Sequence, residues 1–256
     1  MESLSWRSKL VDWLRAGYIK EKWLPILLVL LGMGISLMAG VLFLELAEEV
    51  WEEETFLFDQ VIIDFLHKQD YALIYSKMKV ITEAGSVWFL TVVTIITVGV
   101  QWFKVKDKWN ILFFIVAIGG GGILISVLKY VFQRPRPTLN PAYDGTGFSF
   151  PSGHATGSMI LYGFLIYFIA RGVKLKLSRY FAIISLLVLI LLIGISRVYL
   201  SVHFPSDILA GFAVGTIWLM FCIFALEFVK IYKSKNLKKH INSLLKNNKH
   251  IKDEKG

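Results

Sequence analysis

His203 and Asp207 stand four residues apart across Pro205, and a Ser196-Arg197 pair precedes them. A carboxylate bonded to one imidazole nitrogen fixes the tautomer and leaves the lone pair of the other nitrogen available for attack. A second imidazole, His154, closes the run Pro151-Ser152-Gly153-His154. It could give a proton to a departing oxygen and then take one from water. Lys129, Arg136 and Arg197 are three cations able to surround one tetrahedral anion, and guanidinium forks match phosphate oxygens in bidentate fashion. The Pro-Ser-Gly-His run stands ahead of an apolar stretch, so it reads as a helix start whose backbone N–H groups and dipole attract the same anion. Gly153 lets the backbone approach closely, and Ser152 offers a hydroxyl donor. The chemistry these types suit is transfer of a phosphoryl group through an imidazole. Clustered cations favour a neutral, nucleophilic ring by lowering a neighbouring histidine's pKa.

Each part has a plainer explanation when taken alone. A histidine at the end of a span is more often interfacial than catalytic. Lys129 and Arg134 suit a helix stop, Pro135 and Pro137 stiffen a loop, and Asp207 favours any helix N-terminus. What outweighs these alternatives is where the chain must put the residues.

The chain has 256 residues, of which 55% are hydrophobic, and a mean hydropathy of +0.60. A water-soluble domain of this length is not normally so apolar. The apolar residues fall into six spans free of Asp, Glu, Lys and Arg, at about Trp23–Leu44, Ser86–Phe103, Asn110–Leu128, Ala155–Ala170, Tyr180–Ile195 and Ile208–Leu226. Most approach the ~20 residues needed to cross a hydrocarbon core, and spanning segments must pair their backbone internally as helices. The expected fold is therefore all-α, a six-transmembrane-helix bundle. Trp23, Trp88, Trp102 and Trp109 sit near span ends, as interfacial aromatics do. The first span is too long for a signal core, and no small-x-small cleavage site follows it. The organisation expected is an N-terminal segment 1–22, a membrane domain 23–229 and a basic tail 230–256.

Charge sets the expected direction. The N-terminal segment, the second-to-third loop, the fourth-to-fifth loop and the tail hold 21 of the 28 lysines and arginines. With six spans all four lie on one side, which the positive-inside bias makes cytoplasmic, with both termini inside a cell membrane. Lys129, Arg136, His154, Arg197 and His203 then meet on the opposite, extracytoplasmic face. The remaining charge there is largely acidic, with six glutamates between Glu45 and Glu54. Basic residues retained on that face call for a bound anion. The net charge of +9 suits anionic lipid at the tail; no nucleic acid partner is expected.

Within the first outer loop, Phe58, Ile62, Phe65 and Leu66 recur at helical spacing with Asp59, Asp64 and Lys68 between them. An amphipathic helix is expected, lying in the interface or packed on the bundle. Leu10, Trp13 and Leu14 suggest a weaker interfacial helix on the inner side. Gly119 to Gly122 lie inside a span, away from any strand-turn-helix context, and read as close helix packing, as do Gly211 and Gly215. The lone Cys222 reads as a small buried side chain.

The three motifs resemble those of the type 2 phosphatidic acid phosphatase family. The family pattern is Lys, six residues, Arg-Pro; then Pro-Ser-Gly-His; then Ser-Arg, five residues, His, three residues, Asp. Lys129–Pro137, Pro151–His154 and Ser196–Asp207 match it without a departure. The resemblance covers about residues 20–230 and is similar in layout to bacterial members related to phosphatidylglycerophosphate phosphatase B and undecaprenyl diphosphate phosphatases. It implies a six-helix bundle and metal-independent hydrolysis of a phosphate ester or anhydride, with no cofactor. By position it implies His203 as nucleophile, Asp207 as its orienting partner and His154 as acid/base. Lys129, Arg136, Ser152, Gly153, His154 and Arg197 would hold the phosphate. Arg134 lies outside the fixed pattern.

The expected function is hydrolysis of a membrane lipid's phosphate or diphosphate headgroup, with undecaprenyl diphosphate, phosphatidylglycerophosphate and phosphatidic acid as candidate substrates. A lipid phosphotransferase would differ only in the acceptor that reaches the phosphohistidine. A transporter would carry ionisable groups or broken helices near mid-membrane, which these spans lack. A non-catalytic lipid-binding relative would have lost one of the histidines or Asp207. The sequence carries no signal of oligomeric state.

Overall fold

The structure is a computed structural model and describes residues 29–53, 56–67, 71–137 and 147–253. The described residues form helices α1 (Val29–Trp51), α2 (Leu57–His67), α3 (Tyr71–Glu83), α4 (Val87–Val100), α5 (Lys108–Phe132), α6 (Gly153–Gly172), α7 (Lys176–Tyr199) and α8 (Pro205–Asp253). Helix α4 continues through a π-helical stretch, Gln101–Val105. Among the described residues, six helical segments are long and apolar enough to cross a membrane, the last being Pro205–Lys233 of α8. The protein is an all-α, multi-span membrane protein. The expected N-terminal helix around Leu10, Trp13 and Leu14 and the start of the first span fall outside the described residues.

The helices outrun the apolar blocks because local caps, rather than hydrophobicity, set their ends. Asp107 accepts from the N–H groups of Trp109 and Asn110, so α5 begins at Lys108. Ser86 caps α4 in the same way through the Phe89 N–H. Helix α1 carries on through Glu45, Glu48 and Glu49, where Leu46, Ala47 and Val50 are buried.

Helix α6 is the hub, packed against α4, α5, α7 and α8. Its Ile160, Leu161 and Phe164 are buried with Phe114 of α5, Ile190 and Ile193 of α7, and Leu219 and Leu226 of α8. The glycines of the third span divide. A Cβ on Gly120 or Gly121 would lie 2.4 Å from Trp218 or Ile160, whereas one on Gly119 or Gly122 meets nothing within 4 Å. Trp218 uses the space to donate to the Ala117 carbonyl at 2.9 Å, which ties α8 to α5. Many large side chains on the outer helices are exposed, including Ile95, Ile123, Phe181 and Phe221, as a lipid-facing surface requires.

Helix α2 packs on the bundle, against α7 and α8, rather than simply lying in the interface. The face turned inward differs from the expected stripe. Ile63, Leu66 and Phe58 pack against core clusters, while Ile62 and Phe65 stay exposed. Asp59, expected on the polar face, is buried at 3% exposure. Apolar spacing alone could not reveal this, because the partner that draws Asp59 inward lies 147 residues further along the chain.

Candidate active site

The end of α5, the start of α6, the end of α7 and the start of α8 meet at one end of the bundle and bring the three motifs together. The local sequence explains each arrival. Helix α5 stops where Gln133 takes a left-handed conformation with φ 47°, its N–H still bonded to the Lys129 carbonyl at 3.0 Å. The chain then runs through Arg134, Pro135 and Arg136. Ser149 fastens this segment to the next motif: its N–H donates to the Arg134 carbonyl at 2.9 Å, and its Oγ donates to the Pro135 carbonyl at 2.9 Å.

Ser152 is the N-cap of α6; its Oγ accepts from the Ala155 N–H. Its own N–H donates to the Asp207 carbonyl at 3.0 Å, which fixes the start of α6 to the start of α8. This contact demands a close approach between helices. A Cβ on Gly211 would sit 2.8 Å from the Ser152 carbonyl oxygen, so only glycine fits there without a shift. Ser152 is buried and acts as a cap, whereas Gly153 and His154 line the cavity described below.

The spacing of the third motif follows from a tight turn. Arg197 lies in the last turn of α7, the chain reverses through Ser201 at φ 57°, and Pro205 opens α8. Asp207 reaches back to accept the Phe204 N–H at 2.9 Å, as the third residue of a helix does in a capping box. The same oxygen, Oδ2, lies 3.2 Å from His203 Nδ1.

His203 is sandwiched between Asp207 and Arg136. Arg136 Nη1 lies 3.1 Å from His203 Nε2 and also donates to the Val202 carbonyl at 2.9 Å. A guanidinium has no acceptor, so the contact requires a lone pair on Nε2. The proton therefore sits on Nδ1, facing the carboxylate. Burial drives the pKa of His203 down to about 4; Asp207 opposes the shift, and the charges of Arg136 and Arg197 reinforce it. The result is a neutral imidazole whose Nε2 lone pair faces cations.

Lys129, Arg136, Gly153, His154, Arg197 and His203 line one cavity of about 380 Å³. The backbone and neighbouring side chains orient the cations. Lys129 Nζ donates to the Phe148 carbonyl at 2.9 Å, Arg136 Nε to the Gly147 carbonyl at 3.0 Å, and Arg197 Nη1 to Thr82 Oγ1 at 2.9 Å. Away from these charges the cavity continues between α4, α5 and α6 along Leu90, Ile118, Ile125 and Ile160. One end therefore suits a tetrahedral anion and the other a hydrocarbon chain. Among the described residues, no three His, Cys, Asp or Glu side chains gather as a metal-binding set.

Two further members of this neighbourhood, Arg134 and Asp59, stand outside the fixed positions of the motifs. Arg134 donates to Asp207 Oδ1 at 2.7 Å and to Ser206 Oγ at 2.8 Å, and pairs with Asp59 Oδ2 at 3.2 Å. Its guanidinium lies over the Phe204 ring, 4.2 Å from the centroid. Asp59 in turn accepts the Ser206 N–H at 2.8 Å and the Ser206 Oγ–H at 2.6 Å. A lone acid beside apolar residues in an outer loop, and an arginine one proline away from a motif arginine, were the only available signals.

Comparison with known proteins agrees with this architecture. Residues 110–229, the segment from α5 into α8, match the PAP2 superfamily. The chain is 35% identical over 137 residues to phosphatidylglycerophosphatase B of Bacillus subtilis strain 168, covering 53% of this chain and 66% of that protein. It is 32% identical over 124 residues to undecaprenyl-diphosphatase of Sulfolobus acidocaldarius, covering 44% of this chain and 52% of the relative. The aligned segments thus span just under two thirds and about half of those proteins. The crystal structure of a transmembrane PAP2 type phosphatidylglycerolphosphate phosphatase from Bacillus subtilis superposes with a TM-score of 0.67 at 29% identity, over 76% of this chain and 96% of the other. Aquifex aeolicus LpxE shares the fold at a TM-score of 0.52 and 22% identity, over 66% of this chain and 96% of the other.

Proposed function

We propose that the protein hydrolyses the phosphate or diphosphate headgroup of a membrane lipid through a phosphohistidine on His203, without a metal, at the extracytoplasmic face of a cell membrane. The observation that carries the proposal is the ring of His203. Its Nδ1 faces Asp207 and its Nε2 lone pair faces Arg136, in a cavity with a cationic end and an apolar end. The names of the relatives, phosphatidylglycerophosphatase B and undecaprenyl-diphosphatase, support the same class of substrate. The absence of a metal from the scheme rests on the family resemblance of the motifs. The outward face rests on the distribution of lysine and arginine.

In this scheme Lys129, Arg136, Arg197 and the first-turn N–H groups of Gly153 and His154 hold the phosphoryl oxygens. Ser152 fixes that turn. The Nε2 lone pair of His203 forms a bond to phosphorus as the P–O bond to the lipid breaks, and His154, which takes up a proton when the anionic headgroup binds, gives it to the departing oxygen. Asp207 stabilises the positive charge that develops on the ring. Water then attacks phosphorus, passing a proton to His154, and the P–N bond breaks to restore the His203 lone pair. Phosphate leaves, and both histidines regain their starting states.

The test is phosphate release by purified protein from a panel of polyprenyl and glycerol lipids, as mono- and diphosphates, with and without EDTA. At least one lipid should turn over, insensitive to chelation, and His203→Ala should lower kcat on the order of 10⁴-fold or more while lipid binding survives. Near-normal turnover by the variant would remove the proposed nucleophile. Inhibition by EDTA that added metal reverses would remove the metal-free scheme.

A further inference from the structure

The geometry points to Arg134 and Asp59 as positioning residues that set the protonation of His203 through Asp207, forming an alternating chain of charge behind the reacting ring. The inference rests on His203 as the reacting imidazole. It concerns two residues that neither line the cationic cavity nor occupy the fixed positions of the three motifs.

The connections run in one line. Asp207 divides its two oxygens: Oδ2 takes His203 Nδ1 and the Phe204 N–H, while Oδ1 takes Arg134 Nη1 at 2.7 Å. The other nitrogen of the guanidinium, Nη2, reaches Asp59 Oδ2 at 3.2 Å, and Ser206 bridges the two by donating to Asp59 and accepting from Arg134. The order is anion, cation, anion, imidazole: Asp59, Arg134, Asp207, His203. Every junction is substantially buried, with side-chain exposures of 5% for Asp59, 11% for Arg134 and 0% for Asp207. Charges so placed interact strongly because little water screens them. Phe56 and Phe204 flank the guanidinium and hold it in place.

The arrangement has a chemical consequence. A bare carboxylate beside Nδ1 would pull a proton onto the imidazole and extinguish the Nε2 lone pair. Arg134 tempers that pull by neutralising much of Asp207, and Asp59 in turn tempers Arg134. The other charged groups that face His203 come from the remaining elements: Arg136 from the α5–α6 connection, Arg197 from α7, Lys129 from α5 and His154 from α6. All of these lie on the cavity side, so Arg134 and Asp59 are the charges that reach the ring from behind. Helix α2 is thereby coupled to the reacting ring through a single carboxylate.

The two residues should therefore act on the ring in opposite directions. Removing the charge of Arg134 exposes the full charge of Asp207, so His203 takes a proton more readily and the acid limb of kcat/KM moves to higher pH. Burial raises the pKa of Asp59, while its bonds to Ser206 and the charge of Arg134 favour the ionised form; to the extent that it is ionised at the limb, removing its charge leaves Arg134 uncompensated and the limb moves to lower pH. A purely structural role would not produce opposite signs.

The experiment measures kcat, KM and the pH profile of kcat/KM for purified full-length wild type, Arg134→Gln, Arg134→Lys and Asp59→Asn on the lipid that wild type turns over. His203→Ala serves as the control. Inorganic vanadate binding reports whether the cavity is intact. Arg134→Gln should lose about 10- to 100-fold in kcat with KM and vanadate affinity within about threefold of wild type, and its acid limb should rise by at least half a pH unit. Arg134→Lys should recover part of kcat and return the limb toward wild type, and Asp59→Asn should shift the limb downward. Limbs that stay in place, or that shift the same way in Arg134→Gln and Asp59→Asn, would overturn the inference. If Arg134→Gln fails to fold, a limb that does not move downward in Asp59→Asn overturns it equally. An active His203→Ala control would instead sink the underlying mechanism and is read separately.

Discussion

In the proposed mechanism the lone pair on His203 Nε2 governs turnover, and burial with two guanidinium neighbours protects it from protonation. An ordinary imidazole would begin to lose its lone pair below about pH 6.5. With its pKa near 4, His203 keeps the lone pair across the whole range in which most membranes operate. Protonation inactivates the nucleophile, so activity should fall as pH drops through about 4, not through 6.5. The check is the acid limb of kcat/KM, corrected for ionisation of the substrate phosphate. A limb set near 6.5 would mean that the ring is far more solvated than its burial indicates. The motif residues were legible in the sequence because each is a distinctive type at a fixed gap: Lys129 and Arg136 across a helix stop, His203 and Asp207 within one capping turn. Arg134, Asp59 and Ser206 were not legible as a set. Their bonds run between α2, the α5–α6 connection and α8, and no local period records contacts across 72 to 147 residues.

At the scale of elements, hydropathy located all six spans, while side-chain caps and turns set their ends. Asp107 starts α5 ahead of the apolar run, and Gln133 ends it past the expected Leu128. Helix α2 shows where periodicity runs out. Phe58 and Leu66 pack inward as the spacing suggested, yet the acid between them is buried and two apolar neighbours face outward. The loops carry the claim about direction. In a background without the buried Cys222, Phe148→Cys next to the second motif should react on intact cells with an impermeant thiol reagent. Lys174→Cys, between α6 and α7, should react only after the cells are opened. The opposite pattern would invert the proposed orientation.

At the scale of the whole molecule, six helices bring four of their ends together so that one cavity has a cationic end and an apolar continuation. Contacts with one another and with neighbouring segments hold these ends. Ser152 bonds to the Asp207 carbonyl, Ser149 to the Arg134 carbonyl, and Arg197 to Thr82 of α3. Helix α6, packed on all sides, is the frame from which these contacts hang. Such a site is preorganised for charge on a phosphoryl group, but the account stands on a covalent bond to a single nitrogen. The decisive measurement is rapid quench into alkaline detergent during turnover of a lipid labelled with ³²P in its headgroup, followed by mapping of the labelled peptide. A phosphohistidine at this position puts label on His203 that is stable in base, lost in acid and absent from His203→Ala. Label that survives acid and breaks in base, or that persists in the variant, would contradict it.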